Sequence, residues 1–260
     1  MISNRALDGF RNEEEFVKKL NSNKKHQFWK TINLTENHKL YFVRVVGSKL
    51  SKLTNKKIPC KADVFVSEID IKDDELKNND YLINEDQKIH FIKKLPQTGI
   101  SIKMNKTNYQ IDKCSLKKFV KRFGDKFLFV GATIYSKDIK DFKKNHNVLD
   151  ATNTTWKEFG MYFKNKNLEN INKNTKFTEE HKKIFQTIQK NSNKQIKSLT
   201  INSSKILDSL YKGSDEFDDP YYATWLLINN KLTKDMPKDL IVTKGSSNSG
   251  TRPQVEFKPA

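Results

Sequence analysis

A chain of 260 residues is long enough to bury a real core, as one large domain or two closely joined ones. Its 49 Lys and Arg against 31 Asp and Glu leave a formal charge of +18. That excess suits a polyanionic partner, since each neutralised phosphate releases condensed counterions; an AT-rich gene writing Lys and Asn throughout would give the same balance. The two cysteines, Cys60 and Cys114, have neither CxxC spacing nor a neighbouring histidine, which speaks against a zinc site and a disulfide framework. The opening MISNRALDGFRNEEE lacks an apolar signal core, and no stretch approaches the ~18 apolar residues of a membrane span. A soluble, cytoplasmic protein with no membrane partner is expected.

Residues 6–20 read as an amphipathic helix. At about 100° per residue Ala6, Phe10, Val17 and Leu20 share one stripe, with Leu7 and Phe16 at its edges. Glu13 falls within that stripe, Glu14 at its margin and Glu15 away from it. A carboxylate facing a core is costly unless paired or bound to a cation, so Glu13 either serves a site or swings out to solvent. Residues 39–46 (KLYFVRVV) form a strand, and a basic connection follows at 48–57. In the next strand Ala62, Val64 and Val66 share one face and Asp63 takes the other. Residues 67–86 then invert the charge, with eight acids (Glu68, Asp70 and Asp73 to Asp86) against Lys72 and Lys77. They lack the glycine-centred spacing of an EF-hand and read as a solvated insertion.

Residues 88–94 form a further short extended segment. In the strand after it, Ile100 and Ile102 are buried together while Ser101 and Lys103 project from the opposite face. Ser115 caps a basic helix at 116–123, and 126–135 (KFLFVGATIY) is an apolar strand. This order predicts an α/β (α+β) fold with a mixed central β-sheet flanked by helices. The Lys/Asn-rich stretch 136–176 bridges the sheet-bearing portion, 1–135, to a helical portion, 177–260, that ends in a hairpin. There Thr178 precedes a helix at 179–190, and 203–211 continues helical. The Trp and Tyr residues of 219–228 read as core rather than as a base-stacking platform. At the tail a strand at 239–243 and its return at 254–258 flank a loop of small residues at 245–253. Such a loop is thin enough to enter a DNA groove, and a terminal hairpin without that role is the plainer alternative.

A carboxylate on one strand facing a lysine on the next is the arrangement a divalent-metal phosphodiesterase uses. The five histidines, at 26, 38, 90, 146 and 181, lack the spacing of an HNH nuclease. Three parts then stand together: Gly9-Phe10-Arg11-Asn12-Glu13 opening a helix, Ala62-Asp63 with Ser101-Ile102-Lys103, and the ending IVTKGSSNSGTRPQVEFKP. In these the chain resembles the small type II restriction endonucleases of the PD-(D/E)xK superfamily, particularly the compact four-base cutters that act as monomers. The stretch from Thr178 through Trp225 to Ile228 is also similar to the region before that group's terminal hairpin. The chain departs from the pattern in carrying Ala62 in place of Pro and Ser101 in place of the usual acid. A further departure is the 37 residues that lie between Asp63 and Ser101.

The resemblance implies a hydrolase that cuts double-stranded DNA at a short sequence with Mg2+. Its catalytic residues would be Asp63, Lys103, Glu13 and Ser101, and its ion would be held by Asp63, Glu13 and the main-chain carbonyl of Ile102. Gln110 and Lys113 would touch the DNA backbone. Lys244, Ser246, Ser247, Asn248, Thr251, Arg252 and Gln254 would enter the groove, with Asn248, Arg252 and Gln254 reading bases. A cognate DNA methyltransferase would complete the restriction-modification system, and the chain would act as a monomer or weak dimer. The alternative is a non-catalytic basic DNA- or RNA-binding protein in which Asp63 and Lys103 form an interstrand salt bridge.

Overall fold

The computed structural model describes residues 4–34, 39–103, 109–123, 155–162, 164–171, 174–176, 178–244 and 254–259. Two units interleave along the chain: Met1–Tyr109 with Tyr211–Met236, and Gln110–Leu210 with Pro237–Ala260. The sequence suggests serial portions instead. The interleaving arises because the segment after 211 returns to the sheet that the first hundred residues begin.

In the first unit α1 (Asn4–Ser22) and α2 (Gln27–Thr31) precede β1 (Leu40–Arg44), and β2 (Lys49–Ser51) with β3 (Lys56–Ile58) makes a separate hairpin. Then come β4 (Val64–Asp70), α3 (Asp73–Asn78), β5 (His90–Lys94) and β6 (Ile100–Ile102). The second unit takes β7 (Asp112–Ser115), α4 (Leu116–Phe123), α5 (Trp156–Tyr162), α6 (Lys166–Glu169) and α7 (Glu179–Asn202). Through α8 (Ser204–Lys212) the chain passes back to the first unit for β8 (Trp225–Ile228) and β9 (Lys231–Thr233). It ends in the second with β10 (Leu240–Lys244) and β11 (Gln254–Pro259).

The central sheet of the first unit runs β1-β4-β6-β8-β9, with β5 also beside β4. It is mixed: β6 and β8 are parallel and the other pairs antiparallel. Alternation along the strands gives it two apolar faces. On one, Phe42, Val64, Val66, Ile100 and Leu227 meet Phe16, Val17 and Leu20 of α1 and Phe28 and Trp29 of α2. On the other, Tyr41, Val43, Phe65 and Ile69 gather with Leu76 and Ile83. Buried Asn21 ties helix to sheet: its amide donates to the carbonyls of Phe42 (2.9 Å) and Tyr81 (3.0 Å) and accepts from the Phe42 N–H (2.8 Å).

The acidic stretch 67–86 is therefore no free insertion. Its first residues complete β4, Leu76 and Ile83 enter the core, and Glu85 is tied to Lys49, Lys94 and the Tyr221 hydroxyl. Composition alone hides these few inward positions among the exposed acids. Trp225 is core, 8% exposed, with its indole N–H donating to the Gln97 carbonyl at 3.2 Å.

In the second unit the expected terminal hairpin forms, β10 antiparallel to β11, and β11 also pairs with β7. Phe257 stacks on Phe119 and Phe123 of α4. The helix after Thr178 is longer than its apolar pattern indicates; Thr178 and His181 cap it reciprocally. The apolar strand expected at 126–135 lies outside the described residues. No helix among the described residues is long and apolar enough to cross a membrane.

Candidate active site

The strands β4 and β6 pair at one position, Val64 with Ile100, where the Asp63 N–H donates to the Ile100 carbonyl at 2.8 Å. Beyond it they part. The Ala62 N–H turns to the Tyr221 carbonyl (3.1 Å), and the Lys103 N–H to Leu227 on the opposite neighbour, β8 (2.8 Å). The Ile102 N–H would have no strand partner in this gap, and it donates to Asp63 Oδ2 at 2.6 Å. Ser101, 1% exposed, adds a longer bond from its hydroxyl to the same oxygen at 3.4 Å. With its own carbonyl accepting from Val45 (2.9 Å), Asp63 is fixed by main chain on both flanks.

A crossing segment keeps the gap open. A Cβ on Gly99 would stand 2.5 Å from the Pro220 carbonyl oxygen, closer still to that of Tyr222, and 3.2 Å from the Ala62 Cβ. Only a residue without a side chain lets this segment lie over the start of β6. The Asp219 carboxylate anchors it, accepting from the Gln97 N–H at 2.8 Å through either oxygen.

Electrostatics join the remaining groups. Burial pushes the Asp63 carboxyl up, against the pull of Lys103, the Ile102 N–H, Ser101 and Lys61. Glu13 of α1 is pushed up to about 8, first by burial and then by the negative charge of Asp63, with Arg44 opposing. Neighbouring Glu14 is paired with Arg44 at 3.1 Å. Asp63, Ser101, Ile102, Lys103 and Glu13 therefore act on one locus. The hydroxyl of Ser101 binds Asp63 but supplies no charge.

Among the described residues, no three His, Cys, Asp or Glu side chains gather as an all-protein cation cage. The pair Asp63 and Glu13 fits a smaller demand. Mg2+ usually takes one or two carboxylates and fills the rest of its shell with water and substrate oxygens. A dication would also offset the Asp63 charge that adds to the effect of burial on Glu13.

The expected DNA-contacting residues belong to the second unit or lie outside the described residues. Gln110 is exposed, and Lys113 lies on β7 in register with Glu256; both belong to the second unit. Lys244 closes β10, paired with Val255, and Gln254 opens β11, paired with Ser115. Ser246, Ser247, Asn248, Thr251 and Arg252 lie outside the described residues.

Three participants escape a reading of the sequence. The Tyr221 carbonyl leaves no signal in the chain, being main chain. Glu85, with a side chain 11% exposed, is masked by the acids around it; burial would raise its carboxyl, but the bonds from Lys49, Lys94 and Tyr221 hold it below its ordinary range. Cys60 has its thiol pushed up to about 12, chiefly by burial with Asp63 and Glu85 adding, and its Sγ donates to the Ala62 carbonyl at 3.1 Å. A thiol so placed is structural rather than nucleophilic. Compared with family models, with curated proteins and with solved structures, the chain matches none.

Proposed function

We propose that the protein is a Mg2+-dependent endonuclease of the type II restriction kind, hydrolysing phosphodiester bonds of double-stranded DNA at a short specific sequence. The observation that carries this reading is the parting of β4 from β6, with the Asp63 carboxylate bonded to Ile102 in the gap and Lys103 and Glu13 acting on the same locus. A mixed sheet with an acid just before one strand and a lysine just after its neighbour supports a restriction-endonuclease-like core. The charge of +18 supports a polyanionic substrate.

Asp63 and Glu13, with the main-chain carbonyl of Ile102, would hold the ion. When bound, Mg2+ polarises a phosphoryl oxygen and lowers the pKa of water. The Lys103 ammonium orients the attacking water and stabilises the charge that builds on the phosphate as the P–O bond to the leaving group breaks. Ser101 steadies Asp63 and can hold a water. The terminal loop at 245–252 reads the sequence, a methyltransferase of the same system protects the host's sites, and the enzyme works as a monomer or weak dimer.

Incubated with unmethylated phage DNA, the chain should produce discrete bands with magnesium and none with EDTA. Asp63→Ala and Lys103→Ala should each abolish cutting while DNA binding persists. Cleavage retained in both variants would refute the centre. Salt-sensitive binding without bands under any condition would favour the second reading, a non-catalytic basic nucleic-acid-binding protein. That reading draws on the charge of +18, which a non-catalytic binder of nucleic acid would carry equally.

A further inference from the structure

A cleft of about 510 Å3 in the first unit opens between α1, α2 and the ends of β6 and β8, and Ile102 and Lys103 form part of its wall. Its floor is apolar, with Phe16, Phe28 and Leu227, three residues that belong to the sheet-facing core. Above that floor the amides of Asn12, Gln27 and Asn230 offer both donors and acceptors. Two lysines on the rim, Lys19 and Lys103, outweigh the one carboxylate, Glu15.

We propose that this cleft binds a single unpaired deoxynucleotide of the substrate, next to the phosphate that is cut. The inference rests on the nuclease reading of Lys103. An apolar floor edged with amides matches a base, which has a flat face to desolvate and an edge to hydrogen-bond. Paired cations match the phosphate that accompanies it. The volume lies in the range of roughly 300–1,000 Å3 that suits one small ligand, so a single nucleotide enters where the full width of a duplex does not. Lys103 faces both the Asp63 locus and the cleft, which makes the bound nucleotide and the reacting phosphate neighbours on one strand. The enzyme would then unstack at least one base before it cuts.

The test is equilibrium dialysis of the full chain, in EDTA, against each of the four 2′-deoxynucleoside 5′-monophosphates, with inorganic phosphate as control. At least one monophosphate should bind saturably and ten-fold or more tighter than inorganic phosphate. Lys19→Ala and Gln27→Ala, both at exposed positions, should each weaken it five-fold or more, and Gln27→Trp, which fills the cleft, should abolish it. Lys56→Ala, an exposed lysine on the separate β2–β3 hairpin, should leave it unchanged. Circular dichroism melts establish that each variant folds. Binding no tighter than that of inorganic phosphate, or binding equal in all the cleft variants, overturns the inference. A chain that cuts DNA yet binds no monophosphate refutes the cleft alone. One that binds monophosphates yet never cuts refutes the nuclease reading and leaves the cleft standing as a nucleotide site.

Discussion

Gly99→Ala tests whether the segment crossing β6 builds the candidate site. The new methyl would stand 2.5 Å from the Pro220 carbonyl oxygen and nearer to that of Tyr222. Neither oxygen belongs to a flexible side chain. The residue between them gives its carbonyl to Ala62, and the Ala223 N–H beyond is bonded to Lys212 at 2.9 Å. Relief requires β6 and the crossing segment to separate, which threatens the Trp225 N–H bond to the Gly99 carbonyl (3.0 Å) and the Gln97 bond to Asp219. The first is worth about 1 kcal/mol net and the second, to a carboxylate, about 1.5–3 kcal/mol. Crowding a packed region adds about 1–3 kcal/mol. A total loss of roughly 4–7 kcal/mol is expected, read as a lower urea midpoint at unchanged slope. Gly9→Ala is the internal control: nothing lies within 4 Å of its added Cβ in α1, so it should gain about 0.5–1 kcal/mol. DNA cleavage should fall in Gly99→Ala and hold in Gly9→Ala. A Gly99→Ala chain within 1 kcal/mol of wild type would refute the reasoning.

Further expectations concern the two acids, the helix anchor and the terminal loop. Without metal, E13Q should gain on the wild type as pH rises from 4.5 to about 8. Across that window the unfolded chain has released the Glu13 proton while the fold still holds it, so the native carboxyl costs stability. The rise sets a ceiling of roughly 5 kcal/mol at about 1.4 kcal/mol per pH unit, which solvent access to a half-buried group lowers to about 2 kcal/mol. Parallel melting curves from about pH 5 to pH 8 would count against it. Asn21→Leu should cost about 3 kcal/mol by stranding the Phe42 N–H and the Phe42 and Tyr81 carbonyls; an unchanged melting temperature would show that water replaces the amide. Arg252→Ala should relax the choice of cutting sequence while bonds are still broken. A band pattern unaltered by trimming 245–252 would assign recognition to other residues.

Periodicity was informative wherever both sides of an element see different surroundings. The stripe of Val17 and Leu20 located α1, and the alternation of Val64 and Val66 with Phe65 located β4, since each face of the sheet has its own cluster. The same stripe placed Glu13 on the apolar side, where it could serve a site or swing out to solvent; it is half-buried, and burial raises its carboxyl. Pairing between distant segments leaves no such trace. That β8 lies parallel to β6, and that β7 joins the terminal hairpin, follow from packing partners far apart in the chain. Phe10 shows the limit of the stripe: it falls on the apolar side yet is 44% exposed, with the Arg44 guanidinium of β1 over its ring. The Tyr221 carbonyl and the single-pair junction at Ile100 could not be read either, since main-chain geometry carries no residue label.

The way β6 is held has a bearing on biosynthesis. One residue pair joins it to β4, made early, and three join it to β8, which leaves the ribosome more than a hundred residues later. Until Trp225–Ile228 emerges, Lys103 has no Leu227 carbonyl to set its main chain, and the nascent polypeptide carries the residues of the proposed site without their alignment. The last strand to join β6 thus sets the moment at which the proposed site can take its shape, and no earlier segment substitutes for it.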